Sequence, residues 1–282
     1  MKCFLSAPAL VLTLAALALE VAPASAQAPA GLGNPQIEIV YQAPANPNYL
    51  PIYVRLKKLQ VLEELRQFLT PLKLPRKLTV QVDQCGAPYR SYQPGGPATI
   101  CYELAEQIEA ASAKADPSTK EMVLVGTFVQ AVFHEVAAAV LDVLQAPVWG
   151  RRDDAADRLA GFIMLQFGED VARQTVIGTA VFLENSNKNW TVKDFANAAS
   201  PEAQRYFNFL CMAYGGAPKT FEFLVKPDDK QHTILPPDRA DRCKDEYAQV
   251  RKAFNLRIMP YVDPDLLVKV KSARWSNVGG GK

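Results

Sequence analysis

His134-Glu135 lies in the apolar run Ala131 to Val143, and it is the place in the chain where residue types and spacing suggest bond-breaking chemistry. In the pattern His-Glu-x-x-His on a helix, two imidazoles one turn apart hold Zn²⁺, and the Glu takes a proton from the attacking water. Here the residue one turn after His134 is Ala138, so the second imidazole is missing. The next carboxylates along the chain are Asp153, Asp154 and Asp157, of which Asp153 and Asp157 share a helix face. They suit two roles: metal ligation, or stabilisation of the free N–H groups and positive dipole end of the helix they open.

The element carrying His134 is expected to run from about Thr119 to Leu144. Successive residues 100° apart put Thr127, Gln130, His134, Glu135, Asp142 and Gln145 in one sector of about 140°. Apolar residues fill the rest, so the helix should be buried on most of its circumference, with the polar stripe facing water, a cleft or a ligand. Pro147 to Arg152 connects it to a second helix, Asp153 to Phe167. Before it, Gln36–Tyr41, Lys77–Val82, Tyr89–Tyr92 and Ala98–Tyr102 read as strands, and Ile52–Arg55 as the hairpin partner of the first. The last three should form a meander turning at Pro94-Gly95-Gly96. Helical periods recur at Leu59–Leu69, Glu103–Lys114, Glu169–Leu183, Val192–Ala213 with a break near Pro201, and Arg239–Phe254. The fold class is therefore α+β: a small antiparallel sheet beside a buried helix, followed by a mainly helical C-terminal half.

Composition narrows the function classes. The chain has 282 residues, 49% hydrophobic and 21% charged, enough to bury a substantial core. Its net charge of +2 and lack of a basic cluster with interleaved aromatics argue against a nucleic-acid partner. Met1 to Ala26, with Lys2, an apolar stretch and Ala24-Ser25-Ala26, reads as a secretory signal peptide. Residues 27–35 read as a flexible leader, 36–265 as the folded domain and 266–282 as a C-terminal tail. Once the signal is removed no stable membrane anchor is expected, and the protein should be secreted or periplasmic. The mature chain keeps Cys85, Cys101, Cys211 and Cys243, an even count that favours disulfides in an exported protein. Three connectivities are open. The sequence-local one, Cys85 with Cys101 and Cys211 with Cys243, is favoured because each pair brackets a compact unit.

The stretch His134-Glu135 to Ala156-Asp157, with Pro147 and Gly150-Arg151 between, resembles the DUF4344 family of secreted bacterial metallopeptidase-like proteins, a zincin-like group. Cys85-Gly86, Ile100-Cys101-Tyr102-Glu103-Leu104, Gln204-Arg205-Tyr206-Phe207-Asn208, Leu210-Cys211 with Tyr214-Gly215, and Arg239-Ala240-Asp241-Arg242-Cys243 with Glu246-Tyr247 fit that family's order. The resemblance covers about Gln36 to Val262. It implies a zincin-like fold in which Tyr89–Tyr92 is an edge strand that pairs with an extended peptide. It also implies zinc as cofactor, His134 and Asp153 as ligands, Asp157 as the group orienting a ligand His, and Glu135 as general base. This chain departs from the pattern at Ala138, at Asp153 where a Glu is usual, and at Ala198-Ala199 where an acidic-His pair is expected. The only other His, His232, lies in a Pro-flanked loop. The expectation is a catalytically impaired pseudopeptidase that binds a peptide or protein ligand and holds zinc weakly or not at all. The alternative is an active zinc peptidase with an unusual ligand set.

Overall fold

A computed structural model describes residues 33–88, 92–186, 191–196, 200–227 and 233–273. The signal peptide, Tyr89–Arg90–Ser91, Ala198-Ala199, His232 and Trp275–Lys282 lie outside the described residues.

The architecture is α+β with a dominant helical share. Three strands, β1 (Ile37–Tyr41), β2 (Leu78–Asp83) and β3 (Ala98–Cys101), form a sheet in the order β1-β2-β3. Both pairings are parallel, with Ile37 opposite Leu78 and Val80 opposite Ala98, which corrects the expected antiparallel meander. The turn at Pro94-Gly95-Gly96 lies inside a crossover instead of joining paired strands. Burial explains the misreading. All four residues of β3 are buried, as strands of a parallel sheet covered on both faces are, so β3 lacks the alternation that marks a hairpin.

The hairpin partner of β1 is also corrected: Leu50–Lys58 is helix α1, followed by α2 (Val61–Phe68). Two prolines in this stretch start helices. Asn46 accepts from the Asn48 N–H, Pro47 opens a single 3₁₀ turn, and Pro51 sits in the first turn of α1, where its missing N–H costs nothing. Together α1 and α2 make the crossover that parallel pairing of β1 with β2 requires. Asn34, expected in the flexible leader, is buried, and its side-chain amide donates to the carbonyls of Leu69 and Leu72, both at 2.7 Å.

Seven further α-helices follow β3 among the described residues, with α3 at Tyr102–Lys114, α4 at Lys120–Val143 and α5 at Arg152–Met164. Next come α6 (Glu169–Asn185), α7 (Glu202–Gly216) and α8 (Pro237–Arg257). Residues 266–272, expected as tail, belong to α9 (Pro264–Ser272), in which Val270 is buried. Long and apolar enough in composition to cross a membrane, α4 is instead the buried central helix, packed on α3, α5, α6 and β3. It ends in a paired C-terminal motif: Ala146 N–H donates to Leu141 O and Gln145 N–H to Asp142 O, with Gln145 at φ +48°. Pro147 then prevents the helix from resuming.

Two features lock the helices around α4. Against α6 the backbones nearly touch, since a Cβ at Gly126 would lie 2.6 Å from Thr175 O and one at Gly178 1.7 Å from Met122 O. Thr127 and Thr179 cross this contact by donating to Gly178 O and Gly126 O at 3.3 and 3.1 Å. The second feature is the disulfide Cys211–Cys243, which ties α7 to α8, while Cys85–Cys101 ties the end of β3 to the loop after β2. The favoured sequence-local pairing is the one observed. Loops of 16 and 32 residues imply about 3–4 kcal/mol of stabilisation for each bridge on a chain-entropy estimate.

Candidate functional site

Gln145, at the end of the polar stripe of α4, is exposed. Thr127 and Gln130 are buried, and this part of the stripe turns inward against α5 and α6. At its centre stands Asp157, in the second turn of α5. Asp157 Oδ1 lies 2.7 Å from His134 Nδ1 and accepts from Gln130 Nε2 at 2.9 Å. Arg205, from the first turn of α7, closes the cluster with Nε donating to Asp157 Oδ2 at 2.6 Å and Nη2 to Oδ1 at 2.9 Å. Three helices thus converge on one carboxylate, and the side chains of His134, Asp157 and Arg205 are only 15%, 12% and 14% exposed.

Charge and burial set the protonation states in opposite directions. Burial pushes Asp157 up, but the Arg205 guanidinium and His134 outweigh it and hold the carboxyl well below the usual range. For His134 burial lowers the pKa, yet the Asp157 carboxylate more than offsets this and leaves it raised. Glu135, next along α4, has no such clamp. Burial raises it and His134 only partly opposes this, while the charges of Asp153 and Asp157 push it further, to about 7. Next to a fixed ion cluster there is therefore a carboxyl that changes charge near neutral pH, a property common at functional sites.

The structure brings His134, Glu135, Asp153 and Asp157 to one region, with Asp157 bonded to His134 and Asp153 close enough to act electrostatically on Glu135. Ala138 is 4% exposed and adds only a methyl group to the packed interior. Asp154 instead accepts from Ser200 Oγ at 2.8 Å. Arg151 donates to the same hydroxyl at 3.1 Å and to Phe195 O at 2.8 Å, so Phe195 and Ser200 are both tied to the start of α5. Trp149 in the α4–α5 connection is 96% exposed, and Phe195 is also exposed. Sequence reasoning gave no role to Arg205, which stood only as part of a landmark string. The available signal was a single cation placed in the first turn of α7 ahead of the apolar run Phe207 to Ala213.

A catalytic zinc ordinarily needs three protein donors and one open position. Near His134 the donor set falls short. Nδ1 is engaged by Asp157, which leaves one imidazole nitrogen; Asp157 is itself committed to Arg205 and Gln130; and residue 138 contributes nothing. Among the described residues, Cys85, Cys101 and Glu103 are the one trio of such donors with atoms within 4.8 Å of one another. They do not make a metal site. The two sulfurs are joined in a disulfide, so neither is a thiolate, and Glu103 accepts from the N–H groups of Cys85 and Gly86 at 3.1 and 2.7 Å. The residues described around His134 therefore do not fit a resident catalytic zinc.

The fold and the cluster define a helix-rich α+β protein built around a buried His–Asp–Arg network. A family model described as "Putative metallopeptidase" matches residues 41–257, and the chain belongs to that family, DUF4344. No curated protein and no solved structure matches it.

Proposed function

We propose that this protein is an exported member of the metallopeptidase family in which zinc-dependent hydrolysis is impaired and peptide binding near α4 and α5 is kept. The observation that carries the reading is the occupancy of the cluster: Asp157 is taken by His134, Gln130 and Arg205, and a methyl group stands at 138. Export is supported by the two disulfides, which form in oxidising compartments, together with the signal-like Met1 to Ala26. The exposed Trp149 and Phe195 near the start of α5 give an extended peptide apolar surface to cover. The zincin-like ancestry of the helix pair belongs to this same reading.

One observation favours the alternative of an active zinc peptidase. A hydrogen bond from Nδ1 of a metal-bound imidazole to a carboxylate is the usual way a zinc ligand is oriented, and His134 makes that bond to Asp157. Elemental analysis after dialysis against a weak chelator separates the two. The wild-type mature chain should hold well under one equivalent of zinc and show negligible peptidase activity. Ala138→His, alone or with Asp153→Glu, should bind zinc, because an imidazole at 138 projects one helical turn from His134. One tightly held equivalent in the wild type, lost in His134→Ala, would overturn the impaired reading. No zinc in any variant would show that the helix pair has lost the metal geometry altogether.

A further inference from the structure

Behind the cluster, on the opposite side of the same two helices, lies a cavity of about 340 Å³. Its walls are apolar: Val136 and Ala137 of α4, Leu159 and Phe162 of α5, Phe254 of α8 and Leu267 of α9. Well-packed interiors hold few voids larger than a water, and an apolar cavity of about 150 Å³ already takes up benzene. This one is too large to be a packing defect. At roughly 30 Å³ for each water-sized group it has room for about eleven of them, the bulk of one acyl chain and not of two.

Polarity is confined to a few lining residues. Gln166, Tyr247, Arg251, Asn255 and Lys271 are the lining side chains with a polar group, and Arg251, Asn255 and Lys271 are solvent-exposed, which puts them at the mouth. No Asp or Glu lines the cavity, and neither cation pairs with a carboxylate among the described residues. A second, smaller cavity under α1 and α2, of about 130 Å³, is different. Its lining holds Arg55, Glu64 and Glu109, and its one cation, Arg55, is paired with Glu109, so it offers nothing to an anionic head.

We propose that the larger cavity binds a single-chain fatty acid, with the acyl chain between α4, α5, α8 and α9 and the carboxylate received by Arg251 and Lys271. An aliphatic chain matches the walls, and a single anionic head matches two cations at the mouth that have no carboxylate partner among the described residues. Lys271 can lay its methylene stem along the apolar wall while its ammonium stays in water. This inference does not depend on the state of the His134 cluster.

The test is a fluorescence titration of the full mature chain with dansyl-undecanoate, followed by displacement with unlabelled fatty acids. Saturable binding of one equivalent is expected. Affinity should rise roughly three- to fourfold for each methylene added to the competitor until the cavity is full. Lys271→Glu and Arg251→Glu, both surface changes that leave the core alone, should each weaken the acid roughly tenfold and leave its methyl ester unchanged. Leu267→Trp, which fills the cavity from α9, should abolish binding of both. Absence of saturable binding, or binding indifferent to Leu267→Trp in a variant with wild-type circular dichroism, would overturn the proposal. Equal affinity for acid and ester, unaffected by charge reversal, would overturn the assignment of a carboxylate.

Discussion

Two aspartates of the α4–α5 hairpin, one in the last turn of α4 and one in the second turn of α5, are each gripped by an arginine from a distant part of the chain, and they do different work. Asp157 is held by Arg205, His134 and Gln130 inside the helix layer, with both ion-pair partners less than 15% exposed. Asp142, near the end of α4, is held by Arg76 at 2.5 Å, by the Tyr92 hydroxyl at 3.0 Å and by the Gly95 N–H at 3.1 Å, but the Arg76 side chain is 46% exposed. The bonds are alike and the solvent is not. A buried charge stripped of one partner has no water to turn to, whereas an exposed one rehydrates. The inner cluster is thus committed, and the outer one is a dispensable clasp on the loop before β3.

The comparison breaks most visibly at Arg205. Arg205→Leu should destabilise the protein by about 3–5 kcal/mol, read from urea unfolding, because it leaves Asp157 buried with only His134 to balance it. Adding Asp157→Asn to that variant should return part of the loss, since the uncompensated charge is then gone. Equal losses in the single and double variants would show that Arg205 contributes packing and not charge.

A smaller effect comes from Glu135, the inner carboxyl without a clamp. The fold holds its proton up to about pH 7, while the unfolded chain releases it near 4.5. Between those values the folded state binds more protons, so the Glu135 contribution to stability must fall as pH rises through that window and level off above it. Glu135→Gln should remove its share of the slope, a change on the order of 1–3 kcal/mol, in unfolding midpoints taken from about pH 5 to pH 8 with a chelator present, and leave the part above pH 6.5 that the raised His134 contributes in the same direction. Asp157 acts in the opposite sense: its lowered folded pKa gives stability that is lost only as pH falls below the unfolded value of 3.8.

The smallest effect is expected at the outer cluster. Arg76→Ala should cost about 0.2–1 kcal/mol and less at high salt, because the pair is solvent-screened. A loss as large as that of Arg205→Leu would erase the distinction between the two aspartates.

How much of this was legible in the sequence follows the same divide between local and distant causes. The long α4, the His134-Glu135 pair on it, and the sequence-local disulfides follow from period, motif and cysteine count, all properties of short windows. The sheet direction did not. Whether Leu78–Asp83 pairs with its neighbour in parallel depends on what covers β3, and Ala98–Cys101 is too short to carry a period of its own. Pro47 and Pro51 were equally ambiguous, since a proline fixes φ for a turn and for a helix start alike. The clamp of Asp157 was beyond reach because Arg205 comes from α7, 48 residues further along. A helical wheel identifies which residues share a stripe, and cannot say whether a later helix will cover it.

The near-contact of α4 with α6 at Gly126 and Gly178 has a mechanical consequence. The two helices are keyed together like a shaft in a slot, because neither glycine has a side chain to withdraw and each lies against the backbone of the other helix. To present a different side chain where His134 stands, α4 would have to turn by about 100° or slide by about 1.5 Å for each residue of offset. Either motion drives the adjoining residues, all of which carry a Cβ, into Thr175 or Met122. The stations along α4 are therefore indexed once, at folding, and the site can change its chemistry only by exchanging what stands at a station, as at 138, and never by moving the helix.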